Sequence, residues 1–181
     1  MFFSRRKTSE YSALAMTGVR EGDRALQVGL DDSRLAAAIA EKVGARGQAA
    51  MAVAEPDQVD RAQTAAIRAG VVLDVHLAAL DALPFVPDTF DLVVVHAGGV
   101  AVDFDELSGR AILCDIRRVL RGDGRIVVLE GGTRDLLRRL SRRRISRSGA
   151  RLNALRAAGF SAARLLAERD GNRAFEAVKP A

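Results

Sequence analysis

The chain has 181 residues, 28 basic and 23 acidic, with a formal net charge of +5; 49% of it is apolar, 4% aromatic, and tryptophan is absent. That size suits one domain with a real core, and the lone Cys114 excludes an internal disulfide or a thiolate metal cluster. No apolar run reaches the ~20 residues of a membrane span, and the opening MFFSRRK lacks the apolar stretch of a secretory signal, so a reducing, cytoplasmic setting is expected.

Residues 1–20 read as a basic arm (Phe2, Phe3, Arg5, Arg6, Lys7) and a short helix, EYSALAM, capped by Thr8 or Ser9 and stopping near Gly18. Residues 21–181 read as one α/β domain. Arg20–Asp23 is a turn into a first strand, Ala25 to Val28. The stretch ALQVGLDDS that contains this strand then passes through a glycine and a polar turn into an alanine-rich helix. Leu35, Ile39 and Val43 share one face of that helix and Gly44 ends it. Strand, tight turn and helix open a nucleotide-binding unit, in which a ligand rests on the turn and the helix N-terminus. Gly29 is the one glycine in this turn, and Asp31 and Ser33 stand where further glycines would let backbone approach a ligand.

A second strand is expected at Ala49–Ala54, then a helix whose start, Glu55-Pro56-Asp57, places proline in the first turn and acids at the positive dipole end. Gly70 ends it; Val71–Leu77 is a third strand, followed by the turn-rich DALPFVPDTFD. Leu92–Val95 is a continuous aliphatic run, as a parallel strand covered on both faces requires. An amphipathic helix over Asp105–Leu120 turns Ile112, Ile116, Val119 and Leu120 inward, and a fifth strand spans Arg125–Leu129. An arginine-dense segment, 134–151, precedes a helix (RLNALRAAGF) and two last strands, Ala163–Ala167 and Arg173–Val178, joined by the hairpin signal Asp170-Gly171-Asn172. Strands and helices alternate throughout. The expected fold is a three-layer, doubly wound α/β domain with a mostly parallel seven-stranded sheet and an antiparallel last strand.

Two segments carry a family resemblance. DALPFVPDTFDLVVV is similar to the proline-phenylalanine turn and fourth strand of class I S-adenosylmethionine-dependent methyltransferases, in the small-molecule group that includes the quinone-biosynthesis enzymes. ILCDIRRVLRGDGRIVVLEGG resembles the same family's helix, Arg-Val-Leu, turn and fifth strand, with Gly122-Asp123-Gly124 where the family usually has Pro-Gly-Gly. The resemblance covers residues 20 to 180 and implies the Rossmann-like methyltransferase fold. It also implies cofactor positions, and these depart from the pattern. The family's acid-x-Gly-x-Gly-x-Gly falls on Gln27, Gly29, Asp31 and Ser33. The acid that takes the ribose hydroxyls falls on Val53 in an ungapped alignment and on Glu55 with a two-residue slip; the Asp beside the adenine falls on Ala79. Each buried ligand group left without its partner costs ~1–3 kcal/mol. Against these losses, Asp31 is placed to pair with the ligand's ammonium and Glu55 to reach the ribose.

On this reading the chain is expected to be a methyltransferase-like protein with a degraded S-adenosylmethionine site: a non-catalytic binding or accessory subunit with no cofactor. The alternative is a divergent, active S-adenosylmethionine-dependent methyltransferase acting on a small molecule, with Gly29, Asp31 and Glu55 around the cofactor and His96, at the end of the fourth strand, facing the acceptor. His96 has two readings, a base or an ordinary hydrogen-bonded residue; His76, inside a strand, reads as structural, and Asp103, Asp105 and Glu106 as capping acids without a metal. The arginine segment, with Arg138, Arg139, Arg142, Arg143 and Arg144 among interleaved leucines, reads either as a solvated helix or as a docking surface for a protein partner or an acidic membrane, placing the chain at the periphery of a membrane or larger complex. A nucleic-acid partner, and with it a third reading as an RNA-directed methyltransferase, is disfavoured by the lack of aromatic platforms nearby.

Overall fold

The computed structural model of the chain describes residues 13–30, 32–97, 104, 107–130, 144–169 and 172–181, without the side chains of 144–148 and 169. Asp31, Asp103, Asp105, Glu106, Arg138, Arg139, Arg142, Arg143, the arm and the hairpin tip at 170–171 lie outside the described residues.

Helical residues 13–17 lead through Gly18 to β1 (Arg24–Val28), α1 (Ser33–Val43), β2 (Gln48–Val53), α2 (Pro56–Ala69), β3 (Asp74–Leu77) and β4 (Phe90–His96). Then follow α3 (Leu107–Val119), β5 (Leu120–Glu130), α4 (Arg144–Ala157), β6 (Ser161–Arg169) and β7 (Asn172–Val178). The seven strands form one sheet in the order β3-β2-β1-β4-β5-β7-β6. The first five strands pair in parallel, and β7 inserts antiparallel between β5 and β6. This is the class I methyltransferase-like, Rossmann-like sheet that the sequence leads one to expect.

Alternation of side chains along each strand builds two apolar layers. Leu26, Val28, Val93, Val95, Ile126, Val128 and Phe175 face α3 and α4, meeting Ile112, Leu113, Ile116, Val119 and Leu155. Ala25, Leu92, Val94, Val127, Leu129 and Ala174 face the other way, onto Leu35, Ile39 and Val43 of α1 and onto Met16 and Val19 ahead of β1. Central β4 is covered on both sides, and Leu92 through Val95 are fully buried. The residue spacing on α1 and β4 is therefore realised as read.

Two local departures have physical causes. β3 starts at Asp74, not Val71, because Val71 belongs to the end of α2: Gly70 adopts φ 68°, its N–H donates to Ile67 O, and the Val71 N–H donates to Ala66 O. That pair of bonds closes a Schellman motif and uses the amide a strand would need. β5 starts at Leu120, not Arg125, because Leu120 already pairs with Phe90 before the register jumps to Leu92–Arg125. The extra residues form a bulge in which Asp123 has φ 61°. A side-chain carbon on Gly124 would lie 2.8 Å from Arg121 O and 3.1 Å from Phe90 O. Asp123 thus holds a left-handed conformation that suits glycine. Asp123→Gly is expected to raise stability by up to about 1 kcal/mol, offset in part by the looser unfolded chain, as read by denaturant melts.

The β3–β4 crossover is the turn-rich connection expected from DALPFVPDTFD, with no helix in it. Residues 78–89 cross the α3 face as a strap, burying Leu80 and Leu83 against the core. Backbone polar groups in such a strap need partners, and α3 supplies them. The Arg118 guanidinium donates to Phe85 O at 2.7 Å and Leu83 O at 2.9 Å, while Asp115 Oδ2 accepts the Leu83 N–H at 2.6 Å. Asp115 also takes the Arg118 Nε–H at 2.6 Å, and that bond raises the Arg118 pKa above its ordinary value.

On the α1 face, buried Glu176 of β7 receives Arg125 at 3.1 Å and Arg164 at 2.7 Å, and Arg125 also donates to Gly18 O at 2.9 Å. Burial pushes the Glu176 carboxyl up, but hydrogen bonds and charge from Arg164 and Arg125 outweigh it, leaving its pKa below the ordinary carboxylate value. A carboxyl depressed in the fold stabilises above its unfolded pKa and loses that contribution as pH falls through the folded one. Glu176→Gln is expected to lower stability by ~1.5–3 kcal/mol at neutral pH and to flatten the acid limb of a melting-temperature-against-pH series.

Candidate functional site

The carboxyl ends of β1, β2, β3 and β4 lie side by side at one edge of the sheet, where open α/β sheets hold ligands. β1 ends at Val28 and the chain turns at Gly29, whose φ of 78° belongs to the left-handed region. The Gly29 N–H donates to Ala52 O of β2 at 2.9 Å, which pins the turn to its neighbour strand. Leu30 is buried, and Asp32 caps α1: its Oδ1 accepts the Arg34 N–H at 3.0 Å.

In the sequence Gln27 marks only a missing acid; in the fold it has a definite environment. Gln27 is 1% exposed, on the sheet face that carries α1. Its Nε2 donates to Gly29 O at 3.3 Å, and its Oε1 has no hydrogen-bond partner among the described residues. A buried acceptor without a donor is costly, so this oxygen is one that a ligand group can satisfy.

At the end of β2, Val53 pairs with Leu77 of β3 and is fully buried in a small apolar cluster with Leu30, Met51 and Ala62. The carboxylate at this strand end is that of Glu55. It sits at the N-cap of α2 with extended backbone (φ −120°, ψ 138°), is exposed, and makes no side-chain cap bond. Among the described residues nothing engages its oxygens. Ala79, after β3, is exposed and offers no acid; the first carboxylate of that connection is Asp81, also exposed.

His96 ends β4 at 7% exposure, paired with Leu129 of β5. One step beyond the Val28–Val95 pair, it is level with Gly29 across the β1–β4 ladder, and alternation puts it with Leu92 and Val94 on the α1 face. Gln27, Gly29 and His96 are thus brought to one end of one face. His76 is elsewhere, on edge strand β3, with Nε2 2.8 Å from Asp74 Oδ2 and its ring edge-on to Phe85 at 4.9 Å.

The basic segment divides. Arg144 opens α4. Arg151 turns inward, donating to Glu130 Oε1 at 2.7 Å with its guanidinium 4.3 Å above the ring of buried Phe104; Arg173 of β7 donates to Glu130 Oε2 at 2.8 Å. This last arginine of the segment therefore ties α4 to β5 and is not part of a solvated docking face. Among the described residues no cluster of His, Cys, Asp or Glu is suited to a metal, and no helix is long and apolar enough to cross a membrane.

The chemistry of the edge is selective. A phosphate needs free N–H groups at the helix start, but Asp32 already occupies that end of α1 with its own carboxylate. The side-chain oxygens this edge offers include those of exposed Glu55 and buried Gln27.

Residues 3–140 match the model of the ubiE/COQ5 methyltransferase family. The ubiquinone/menaquinone biosynthesis C-methyltransferase UbiE of Cupriavidus taiwanensis is 30% identical over 117 residues, covering 65% of this chain and 46% of that protein. The chain thus spans about half the length of the curated relatives it matches. A SAM-dependent methyltransferase from Aquifex aeolicus superposes with a TM-score of 0.71 at 17% identity, over 94% of this chain and 89% of that one. A SAM-dependent O-methyltransferase from Thermotoga maritima gives 0.71 at 14% identity, over 96% and 65%. At such identities the solved structures speak for the fold.

Proposed function

Because the chain belongs to the ubiE/COQ5 methyltransferase family, we propose that it is an S-adenosylmethionine-dependent methyltransferase acting on a small molecule. This is preferred over the non-catalytic accessory role that the thinned glycine turn suggests, because catalysing relatives match the chain and the edge of the sheet keeps groups suited to the donor. The observation that carries the reading is the presence, on either side of the Gly29 turn, of a carboxylate and a buried acceptor, Glu55 and Gln27 Oε1, that have no partner among the described residues.

When bound, S-adenosylmethionine supplies a methyl group activated by its sulfonium. Glu55 accepts hydrogen bonds from the two ribose hydroxyls, which holds the sugar beside β2. Gln27 Oε1 accepts from the ammonium, and Asp31, outside the described residues, is the acid the sequence offers for the same group. Asp32 keeps the start of α1 capped and repels phosphate, so the turn favours a cationic ligand over a dinucleotide. Catalysis of methyl transfer rests mainly on holding donor and acceptor in line. The acceptor class follows the relatives, whose names place them in ubiquinone and menaquinone biosynthesis: a small molecule of that chemistry.

A cytoplasmic location belongs to the same proposal. So does a docking role for Arg138, Arg139, Arg142, Arg143 and Arg144 toward a protein partner or an acidic membrane surface, supported by their density in the sequence.

Thermal melts with S-adenosylhomocysteine and with NAD test the donor assignment. A ligand at a hundred times its dissociation constant adds ~2.7 kcal/mol, so S-adenosylhomocysteine is expected to raise the melting temperature by several degrees and NAD to leave it unchanged. A rise with NAD alone overturns the reading.

A further inference from the structure

We propose that two copies of the chain join along β3, antiparallel and two-fold about Val75, so that the sheet of one continues into the sheet of the other. This interface is independent of the donor and acceptor assigned above.

β3 is one edge of the sheet and pairs with β2 alone among the described residues. The Ala78 N–H donates to Val53 O at 2.9 Å, and along a parallel strand alternate residues direct both backbone groups to the same side. Asp74, His76 and Ala78 therefore turn theirs toward β2, while Val75 and Leu77 turn theirs away from the sheet. These outward groups have no hydrogen-bond partner among the described residues. Such a row is a template for a further strand. The opposite edge, β6, is blunted by a register shift between Leu165 and Ala167 and by Arg164 and Arg169. β3 has no register shift, proline, lysine or arginine. The apolar groups leading into it are bare: Ile67 near the end of α2 is 80% exposed, Val72 91%, and Leu77 of the strand itself 55%.

The residues of β3 select a second copy as the occupant. With Val75 on the two-fold axis, Asp74 stands opposite the second copy's His76, His76 opposite its Asp74, and Leu73 opposite its Leu77. Val75 and its copy exchange both N–H···O bonds, since their backbone groups point outward. Positions 74 and 76 are then the non-hydrogen-bonded ones, where facing side chains lie closest. The faces agree as well. Asp74 and His76 pair with Ala50 and Ala52 on the α3 side, and Leu73 and Val75 pack with Met51 and Val53 on the other. Within one chain His76 Nε2 lies 2.8 Å from Asp74 Oδ2; in the pair, two carboxylates and two imidazoles alternate around the axis. Moving the axis to Asp74 or to His76 sets like side chains against each other, and a one-residue slip sets outward backbone groups against inward ones.

Sedimentation equilibrium of the full chain reads the pairing. A short strand-to-strand contact belongs to the small, weak class of interfaces, so half-association is expected at roughly 10–100 µM chain. Val75→Pro removes an outward N–H that the single chain does not use, and Leu77→Lys places a charge on the exposed edge; both are expected to stay monomeric up to about tenfold higher concentration. Leu77→Lys carries the test where Val75→Pro does not fold, and when dilute it is expected to melt with the wild type. His76→Asp sets carboxylates against each other and is expected to weaken association about tenfold; the double variant Asp74→Lys/His76→Asp, which exchanges the charges, is expected to restore it to within about threefold. A wild-type chain that stays monomeric throughout this range overturns the proposal and leaves the edge to a different protein. So does a dimer that Val75→Pro and Leu77→Lys leave intact, or one that the double variant weakens as much as His76→Asp alone.

Discussion

Asp115→Ala is expected to lower the melting temperature by about 6–12 °C, the largest stability effect of any single substitution considered. The reason is the strap between β3 and β4. Its backbone has no helix to satisfy it, and at its centre one ion pair on α3 supplies the partners: Asp115 accepts the Leu83 N–H, and Arg118 donates to the carbonyls of Leu83 and Phe85. The Asp115 side chain is 13% exposed. Its removal leaves a strap amide without a partner and the Arg118 guanidinium without its counter-charge, a loss of ~3 kcal/mol; for a chain of this size each kcal/mol is worth ~2–4 °C. Arg118→Lys keeps the charge but not the planar fork, and is expected to recover little of the loss. Arg117→Ala, which removes one exposed bond to Gly159 O, is expected to change stability by less than about 1 kcal/mol. Differential scanning calorimetry reads all three. Equal effects at Arg117 and Asp115 would contradict this account of the strap.

Glu55→Gln is expected to weaken S-adenosylhomocysteine binding by about 10- to 50-fold, the largest effect on the ligand. A carboxylate shared by two hydroxyls makes charge-assisted hydrogen bonds of ~1.5–3 kcal/mol each in a desolvated site, and ~1.4 kcal/mol is tenfold. Stability is expected to move by less than about 0.5 kcal/mol, since an exposed side chain without a cap bond is removed. Val53→Ala behaves in the opposite way. It removes two buried methyl groups at 0% exposure and is expected to cost ~1–2.5 kcal/mol of stability while binding is retained. Paired melts and titrations on the two variants decide which residue serves the ribose.

The parts of the fold legible in the sequence are those where local pattern and tertiary role agree. Leu35, Ile39 and Val43 share a helix face because they meet the sheet, and Leu92–Val95 reads as central because both of its faces are covered. The parts that were not legible depend on partners remote in sequence. Nothing around Leu120 announces a strand, because its pairing with Phe90 is made across a crossover and then interrupted by a bulge. Val71–Leu73 has strand composition, yet the end of α2 takes the Val71 amide. The site shows the same division. Gln27 reads as a missing acid, and only burial reveals its oxygen as an acceptor without a donor among the described residues. The choice between Val53 and Glu55 turns on strand register, which spacing alone leaves open. Arg151 reads as one more exposed cation until Glu130 and Phe104 are placed beneath it.

The central claim is that this turn binds an adenosyl group, and isothermal titration of the purified chain with S-adenosylhomocysteine tests it most directly. The account predicts one site per chain with a dissociation constant in the micromolar range, corresponding to about −8 kcal/mol, and a marked weakening in Glu55→Gln. Absence of saturable heat up to millimolar ligand, with no change in melting temperature, would contradict it and return the chain to the non-catalytic role.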